Sequence, residues 1–499
     1  MRLKFVGVVC VILLAASAAA GSRQAIAERA PAHQTAVAAQ PAADRSVPAL
    51  LISDIHFDPL HDPGKVQRLR AAPVSQWASI LSEPDGSNAA AQYAALQKTC
   101  GAKGVDTPWP LLRSSLDAMR AATPHPAFIT LSGDLVAHEF PCRVASGGGE
   151  MGPTAYAGFV VKTIAFVIGQ LRAEFPGIPV YVSLGNNDSG CADYRMDPGS
   201  SFLQQVATSV ADGVPPAERH AVLDEFPVGG YYSARLPAPI HATRLIVLND
   251  LYLSPKYRTC TGAPDPAAWS AELTWLQQQL AQAQASGERV WVMGHIPPGV
   301  DPYSTVRQFR NVCGGEKPDM FLKPDHLDDL LMQYAGVIKL ALFAHTHMDE
   351  MRLLAPESGD PRTVARHSIA VKLVPSITPV HGNNPSFTVA EVNPSTAALL
   401  DYRVIEASNQ TGIHTTWSEE YDFDRTYHET AYSPAALRQL IGSFRADPKA
   451  QTAASQAYIR HYFKSHLAPV LTPFWPQYAC SLRNTTAQSY AACVCATRK

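Results

Sequence analysis

The sequence predicts an α/β protein with a mainly helical C-terminal extension. Three observations carry that expectation. Short apolar runs recur along the first four-fifths of the chain, helical patterns lie between several of them, and the character changes near residue 406. The runs are Pro48–Ser53, Ala127–Ser132, Ile178–Leu184, Arg244–Leu248, Arg289–Met293 and Ile338–Phe343, each of a length that suits a buried strand. The β-branched stretch Val371–Val374 and the segment Phe387–Val392 supply a second group of strands. Between the runs, Tyr156–Glu174 reads as a helix. Trp269–Ala285 reads as another, with Ser270 as its N-cap, Glu272 in the first turn, and Leu273, Leu276 and Leu280 on one face. Past residue 406, Ser433-Pro434 opens a helix with Leu437, Leu440, Ile441 and Phe444 at helical spacing. The aromatics Tyr458, Tyr462, Phe463, Phe474, Trp475 and Tyr478 then lead to the last three cysteines, and we read them as core.

The chain divides accordingly. Arg2 and Lys4 precede an apolar run from Phe5 to Ala16 and then small residues, the pattern of a signal peptide spanning 1–20. Residues 21–47 are an Ala/Pro-rich linker, 48–405 the main domain, and 406–499 the cysteine-containing extension. No transmembrane segment is expected. Outside the signal segment lie eight cysteines, an even number that suits disulfides in a secreted or periplasmic protein. Eight allow 105 connectivities, and the sequence does not choose among them. Net charge is −2 with no long basic run, which argues against nucleic-acid binding. Nothing in the sequence sets the oligomeric state.

The chemistry sits where the strands end. The first run stops at Asp54-Ile-His56, the second at Gly133-Asp134, and the third at Gly185-Asn-Asn-Asp188. Two later runs stop at Gly294-His295 and Ala344-His-Thr-His347. Ligands bind at the carboxyl ends of strands in open α/β sheets, so the five clusters should converge. Asp-x-His and His-x-His would put both side chains on one side of an extended segment. Four histidines, two aspartates and an asparagine are enough donors for two divalent cations.

In this order the motifs resemble the calcineurin-like metallophosphoesterases, and more narrowly the acid-sphingomyelinase-like phosphodiesterases. The narrower resemblance rests on Asp54-Ile-His-Phe-Asp58, Asp106-Thr-Pro-Trp109, Gly133-Asp-Leu-Val-Ala-His138, Gly294-His-Ile-Pro-Pro-Gly299, His345-Thr-His-Met-Asp-Glu350 and Pro375–Phe387. It implies a β-sandwich flanked by helices. It also implies one metal at Asp54, His56, Asp134 and His347, and a second at Asp134, Asn186, His295 and His345. Zinc is the metal it implies; manganese or iron suits the same donors. Two such cations clamp phosphoryl oxygens and activate a water for in-line attack. His138 falls where the family has a histidine proposed to protonate the leaving group.

One departure bears on substrate. Asn187 replaces the histidine usual in Gly-Asn-His-Asp, and its amide can hydrogen-bond a phosphate oxygen but is no comparable proton donor. Fungal-type endopolyphosphatases share that spelling. The expectation is therefore an exported two-metal phosphodiesterase acting on a nucleotide, a phosphocholine diester or a lipid headgroup. The alternatives are a phosphomonoesterase or endopolyphosphatase on the same site, and a non-catalytic binding protein on the same scaffold.

Overall fold

The computed structural model describes residues 46–149, 151–323, 326–463 and 468–497, with backbone alone for 468–470. The expected signal peptide, and the linker up to residue 45, lie outside the described residues.

Twelve strands are described: β1 Val47–Ile52, β2 Ile129–Ser132, β3 Val180–Ser183, β4 Tyr232–Arg235, β5 Thr243–Val247, β6 Arg289–Met293, β7 Ile338–Phe343, β8 Glu350–Leu354, β9 Ile369–Leu373, β10 Ser386–Val392, β11 Leu399–Ala407 and β12 Trp417–Asp422. They form two six-stranded mixed sheets, ordered β12-β11-β10-β1-β2-β3 and β4-β5-β6-β7-β9-β8. Within them β1, β2 and β3 run parallel, as do β5, β6, β7 and β9. These parallel strands are buried along nearly their whole length, which is why each reads as a continuous apolar run.

The sheets share one core and form a sandwich flanked by helices. Trp291 of β6 meets Phe128 edge-on at 5.5 Å, and its Nε1–H donates to the Ala397 carbonyl at 2.7 Å. The Val182 N–H of β3 donates to the Tyr232 hydroxyl of β4 at 2.9 Å.

Two expectations need correction. The helix after β5 spans Pro266–Ser286 and is capped by Asp265, whose carboxylate accepts the Ala267 N–H at 3.0 Å. Ser270 therefore sits inside the helix. Glu272 lies beyond the first turn, buried, accepting the Asn249 N–H at 2.6 Å. Second, the first sheet continues past residue 405 through β11 and β12, so the helical extension begins only after Asp422. Trp417–Asp422 is an edge strand of mostly polar residues and carries no apolar run to announce it. Among the described residues one helix, Pro153–Glu174, is long and apolar enough, by length and composition alone, to cross a membrane. Half of its most apolar stretch is buried in the protein, and Phe159, Ile164 and Val167 belong to the shared core.

In the extension, Ser433 caps the helix Pro434–Ala446, and all four expected apolar positions are buried. Phe444, Tyr458 and Trp475 form one aromatic cluster, whereas Phe474 is 38% exposed and leaves the core set. The eight cysteines pair as Cys100–Cys142, Cys191–Cys260, Cys313–Cys495 and Cys480–Cys493.

Candidate metal centre

The strand-end loops bring all seven expected donor residues to one rim of the sandwich. Their geometry is not that of an extended segment. Asp54, His56, Asp134, His345 and His347 have φ of 45°, 45°, 52°, 70° and 65°. Each is a non-glycine residue in the left-handed region, a conformation that costs on the order of 1–2 kcal/mol per residue. The turns point the side chains inward, and the loops hold one another. The Asp54 N–H donates to the Gly133 carbonyl at 3.1 Å, and the His56 N–H to the Asp134 carbonyl at 2.9 Å. Gly185 is required by proximity: a Cβ there would lie 2.1 Å from Asp134 Oδ1.

The donors fall into two adjoining groups. In one, His56 Nε2 lies 3.4 Å from Asp134 Oδ2 and 3.7 Å from Asp54 Oδ1, and His347 Nε2 lies 3.4 Å from Asp54 Oδ1. In the other, His295 Nε2 lies 3.2 Å from Asp134 Oδ2 and 3.2 Å from Asn186 Oδ1, with His345 Nδ1 at 3.3 Å from it. Asp134 belongs to both. The far side of two rings is fixed by backbone. His56 Nδ1 faces the Val136 carbonyl at 2.9 Å, and His295 Nδ1 faces the Ser132 carbonyl at 2.8 Å. Donation from Nδ1 leaves each Nε2 lone pair aimed at the centre.

Divalent cations fit this donor set. Asp54 Oδ1, His56 Nε2 and His347 Nδ1 are buried without a hydrogen-bond partner, a costly arrangement in a closed core. The field favours positive charge. Burial opposes protonation of His56 and His295, yet the Asp134 carboxylate, together with Asp54 and a further acid beside each ring, outweighs it and lifts them to about 9 and about 10. Burial likewise opposes ionisation of Asp134, while His295 and His56 hold it well below the carboxylate range. His345 and His347 are pushed down by burial and by the neighbouring rings, which suits neutral ligands. The groups Asp54–His56–Asp134 and Asp134–His295–His345 each have metal-ligand spacing.

His138 and Asn187 reach the same place by different routes. His138 stacks on His56 with centroids 3.8 Å apart, and His138 keeps 28% of its side chain exposed to the cleft. Both its backbone N–H and its Nδ1 meet the Asp106 carboxylate, at 2.8 Å each. Asn187 donates twice to Asp134, from its backbone N–H at 2.8 Å and from Nδ2 at 2.9 Å. Asn187 is buried, at 8% exposure.

Several supporting residues escaped the sequence reading. Asp188 accepts the N–H groups of Gly185, Leu135 and Val136, and Asp250 accepts those of His295 and Ile296. Buried Arg143 pairs with Asp58 and Asp106. Tyr194 sets its hydroxyl 3.2 Å from His345 Nε2. Residue type gave no signal, because each role is a tertiary hydrogen bond; Asp58, Asp106 and Asp188 stood within motifs, whereas Arg143, Tyr194 and Asp250 did not. Above the centre lies a cleft of about 550 Å³, walled by Tyr194, Phe321, His381, Tyr462, Phe463 and Tyr478.

A sandwich that carries two His/Asp groups on its strand-end loops, sharing one carboxylate, is the framework of a metal-dependent hydrolase. Residues 47–349 match the model of the calcineurin-like phosphoesterase family, and the chain belongs to that family. It is a metal-dependent phosphoester hydrolase. The chain is 26% identical to sphingomyelinase phosphodiesterase C of Dictyostelium discoideum, over 83% of this chain and 84% of that protein. To the cyclic GMP-AMP phosphodiesterase SMPDL3A of Mus musculus it is 24% identical, over 89% of this chain and 90% of that one. It is 26% identical to the human acid sphingomyelinase-like phosphodiesterase 3b, over 78% and 80% of the two chains.

Proposed function

We propose that this chain is an exported two-metal phosphodiesterase. In this reading Asp54, His56, Asp134 and His347 hold one cation, and Asp134, Asn186, His295 and His345 the other. The observation that carries it is the pair of donor groups joined at Asp134 beneath His138. Bound there, zinc, or manganese or iron, supplies charge neutralisation at the phosphoryl oxygens and an activated water for in-line attack. The chain's own residues do the rest. Asn187 fixes both oxygens of Asp134 through its two N–H donors. Asp106 engages Nδ1 of His138, so Nε2 is the atom that gives a proton to the departing oxygen. The aromatic side chains Tyr194, Phe321, Tyr462, Phe463 and Tyr478 line the cleft beside the donors and offer apolar surface to the substrate's organic groups.

The substrate is a nucleotide, a phosphocholine diester or a sphingomyelin-type headgroup, in line with relatives named as sphingomyelinase and cyclic GMP-AMP phosphodiesterases. Four disulfides support export to an oxidising compartment. A phosphomonoesterase or endopolyphosphatase on the same donors is the second reading, favoured by Asn187 in the histidine slot.

Metal analysis coupled to a hydrolysis panel tests the proposal. The panel holds a bis-aryl phosphodiester, an aryl monoester, ATP, CDP-choline, sphingomyelin and polyphosphate. Diester turnover lost on chelation and restored by zinc or manganese is expected, and so is a D134N variant that folds but retains neither metal nor activity. A D134N protein with substantial turnover would remove the shared carboxylate from the scheme. Preference for the monoester or polyphosphate would favour the second reading.

A further inference from the structure

One group of positive charges away from the cleft has no carboxylate paired with it among the described residues. Arg438 and Arg445 stand seven residues apart on the helix Pro434–Ala446, so they share a flank and lie about 10 Å apart along its axis. Arg483 follows the helix Trp475–Ser481, which packs on Pro434–Ala446. Two connections carry Arg483 and Arg438 to the same corner of the second sheet. The Leu353 N–H of β8 donates to the Leu482 carbonyl at 2.8 Å, and Leu353 pairs with Ala370 of β9. Arg438 Nη2 donates to Ser368 Oγ at 2.7 Å, two residues before Ala370.

All three arginines are half-buried, and none forms an ion pair with a carboxylate among the described residues. Arg438 Nε is buried with no partner. Burial, then the guanidinium groups of Arg445 and Arg438, lower the proton affinity of Arg483, and no carboxylate among the described residues opposes them. Like charges held partly out of water repel, so the fold gains nothing from keeping them together. An oxyanion among them reverses that sign, and planar guanidinium forks match phosphate oxygens two at a time. None of the three lines the cleft above the metal centre.

We propose that Arg438, Arg445 and Arg483 form an anion site, separate from the metal-centre cleft, for a phosphate-type oxyanion borne by a soluble phosphate or by an anionic lipid headgroup.

The test uses metal-loaded full chain, wild type beside R483Q and the double variant R438Q/R483Q, with two probes. In the first, melting temperature is read in sodium phosphate and in sodium chloride of equal ionic strength. Phosphate held at the metal centre stabilises every form alike, so the difference between forms reports the arginines. In the second, co-sedimentation is read with phosphatidylcholine vesicles, with and without phosphatidylserine. A free-phosphate site predicts that wild type gains about 2 °C more from phosphate than R483Q. It also predicts that R483Q melts higher than wild type in chloride, because the repulsion is gone. A headgroup site predicts phosphatidylserine-dependent sedimentation of wild type that both variants lose. Turnover of a bis-aryl phosphodiester stays at the wild-type level and certifies the fold. If Arg483→Gln fails to fold, Arg483→Lys keeps the charge, loses the fork, and should weaken either response. Variants matching wild type with both probes would overturn the site.

Discussion

His138 shows how a single side chain is prepared for chemistry. Asp106 accepts from its backbone N–H and engages its Nδ1, so main chain and ring are fixed by one carboxylate. Burial opposes the charge on Asp106, but His138 and His56 hold that acid below the usual carboxylate range, and Arg143 and Thr378 contribute further contacts. If His138 protonates the leaving group, H138A should lose about 10²–10⁴-fold in kcat on diesters with alkyl leaving groups. Activated aryl esters need little protonation and should lose far less. D106N keeps an acceptor oxygen but drops the charge that orients the ring. We expect it to reproduce the same selective loss at about 10–100-fold, with metal content intact. Equal losses on alkyl and aryl diesters, measured as kcat with each series, would argue against proton donation.

At the scale of the element, legibility followed burial. All six apolar runs are strands, because a strand covered on both faces has no polar alternation to disguise it. Four strands were not anticipated, and their residues explain why. β8 is Glu-Met-Arg-Leu-Leu, with Glu350 and Arg352 buried and paired to each other, so a fully buried edge strand reads as a charged loop. β4 is four residues long, β11 mixes Asp401, Arg403 and Glu406 into its length, and β12 is a polar edge. The site was legible as strand-end donor types. The left-handed turns that aim the donors were not, since no residue type favours φ near 50° at an aspartate or histidine strongly enough to be read. Glu272 is another instance. It looks like a first-turn acid and is instead a buried one, which burial and then Asp250 push up to about 8. The folded protein then keeps a proton that the unfolded chain, with an ordinary glutamate, gives up. Its contribution to stability should be fullest below the ordinary glutamate range and should fall as pH rises toward 8. E272Q cannot ionise, so its melting temperature should fall less steeply between pH 5 and pH 8. Parallel wild-type and variant curves would contradict the neutral acid.

Across the whole molecule, the centre straddles the sandwich. Asp54, His56, Asp134 and Asn186 follow strands β1, β2 and β3 of one sheet, whereas His295, His345 and His347 follow β6 and β7 of the other. Hydrogen bonds cross between them: His295 Nδ1 to the Ser132 carbonyl, and the His345 N–H to Asp54 Oδ2 at 3.3 Å. Donor spacing therefore depends on how the two sheets sit together, and inter-sheet packing should act on metal affinity without touching a ligand. Trp291 provides the test. It is fully buried, packs on Phe128 across the interface and donates to Ala397. Trp291→Ala should cost about 3–5 kcal/mol and also weaken metal retention at temperatures well below its melting point. Leu437→Ala, in the helical extension, should cost a comparable 2–5 kcal/mol and is the control. General destabilisation would make the two variants release metal alike in a chelator titration. Coupling through the sandwich predicts that Trp291→Ala releases metal at lower chelator concentration, while Leu437→Ala follows the wild type.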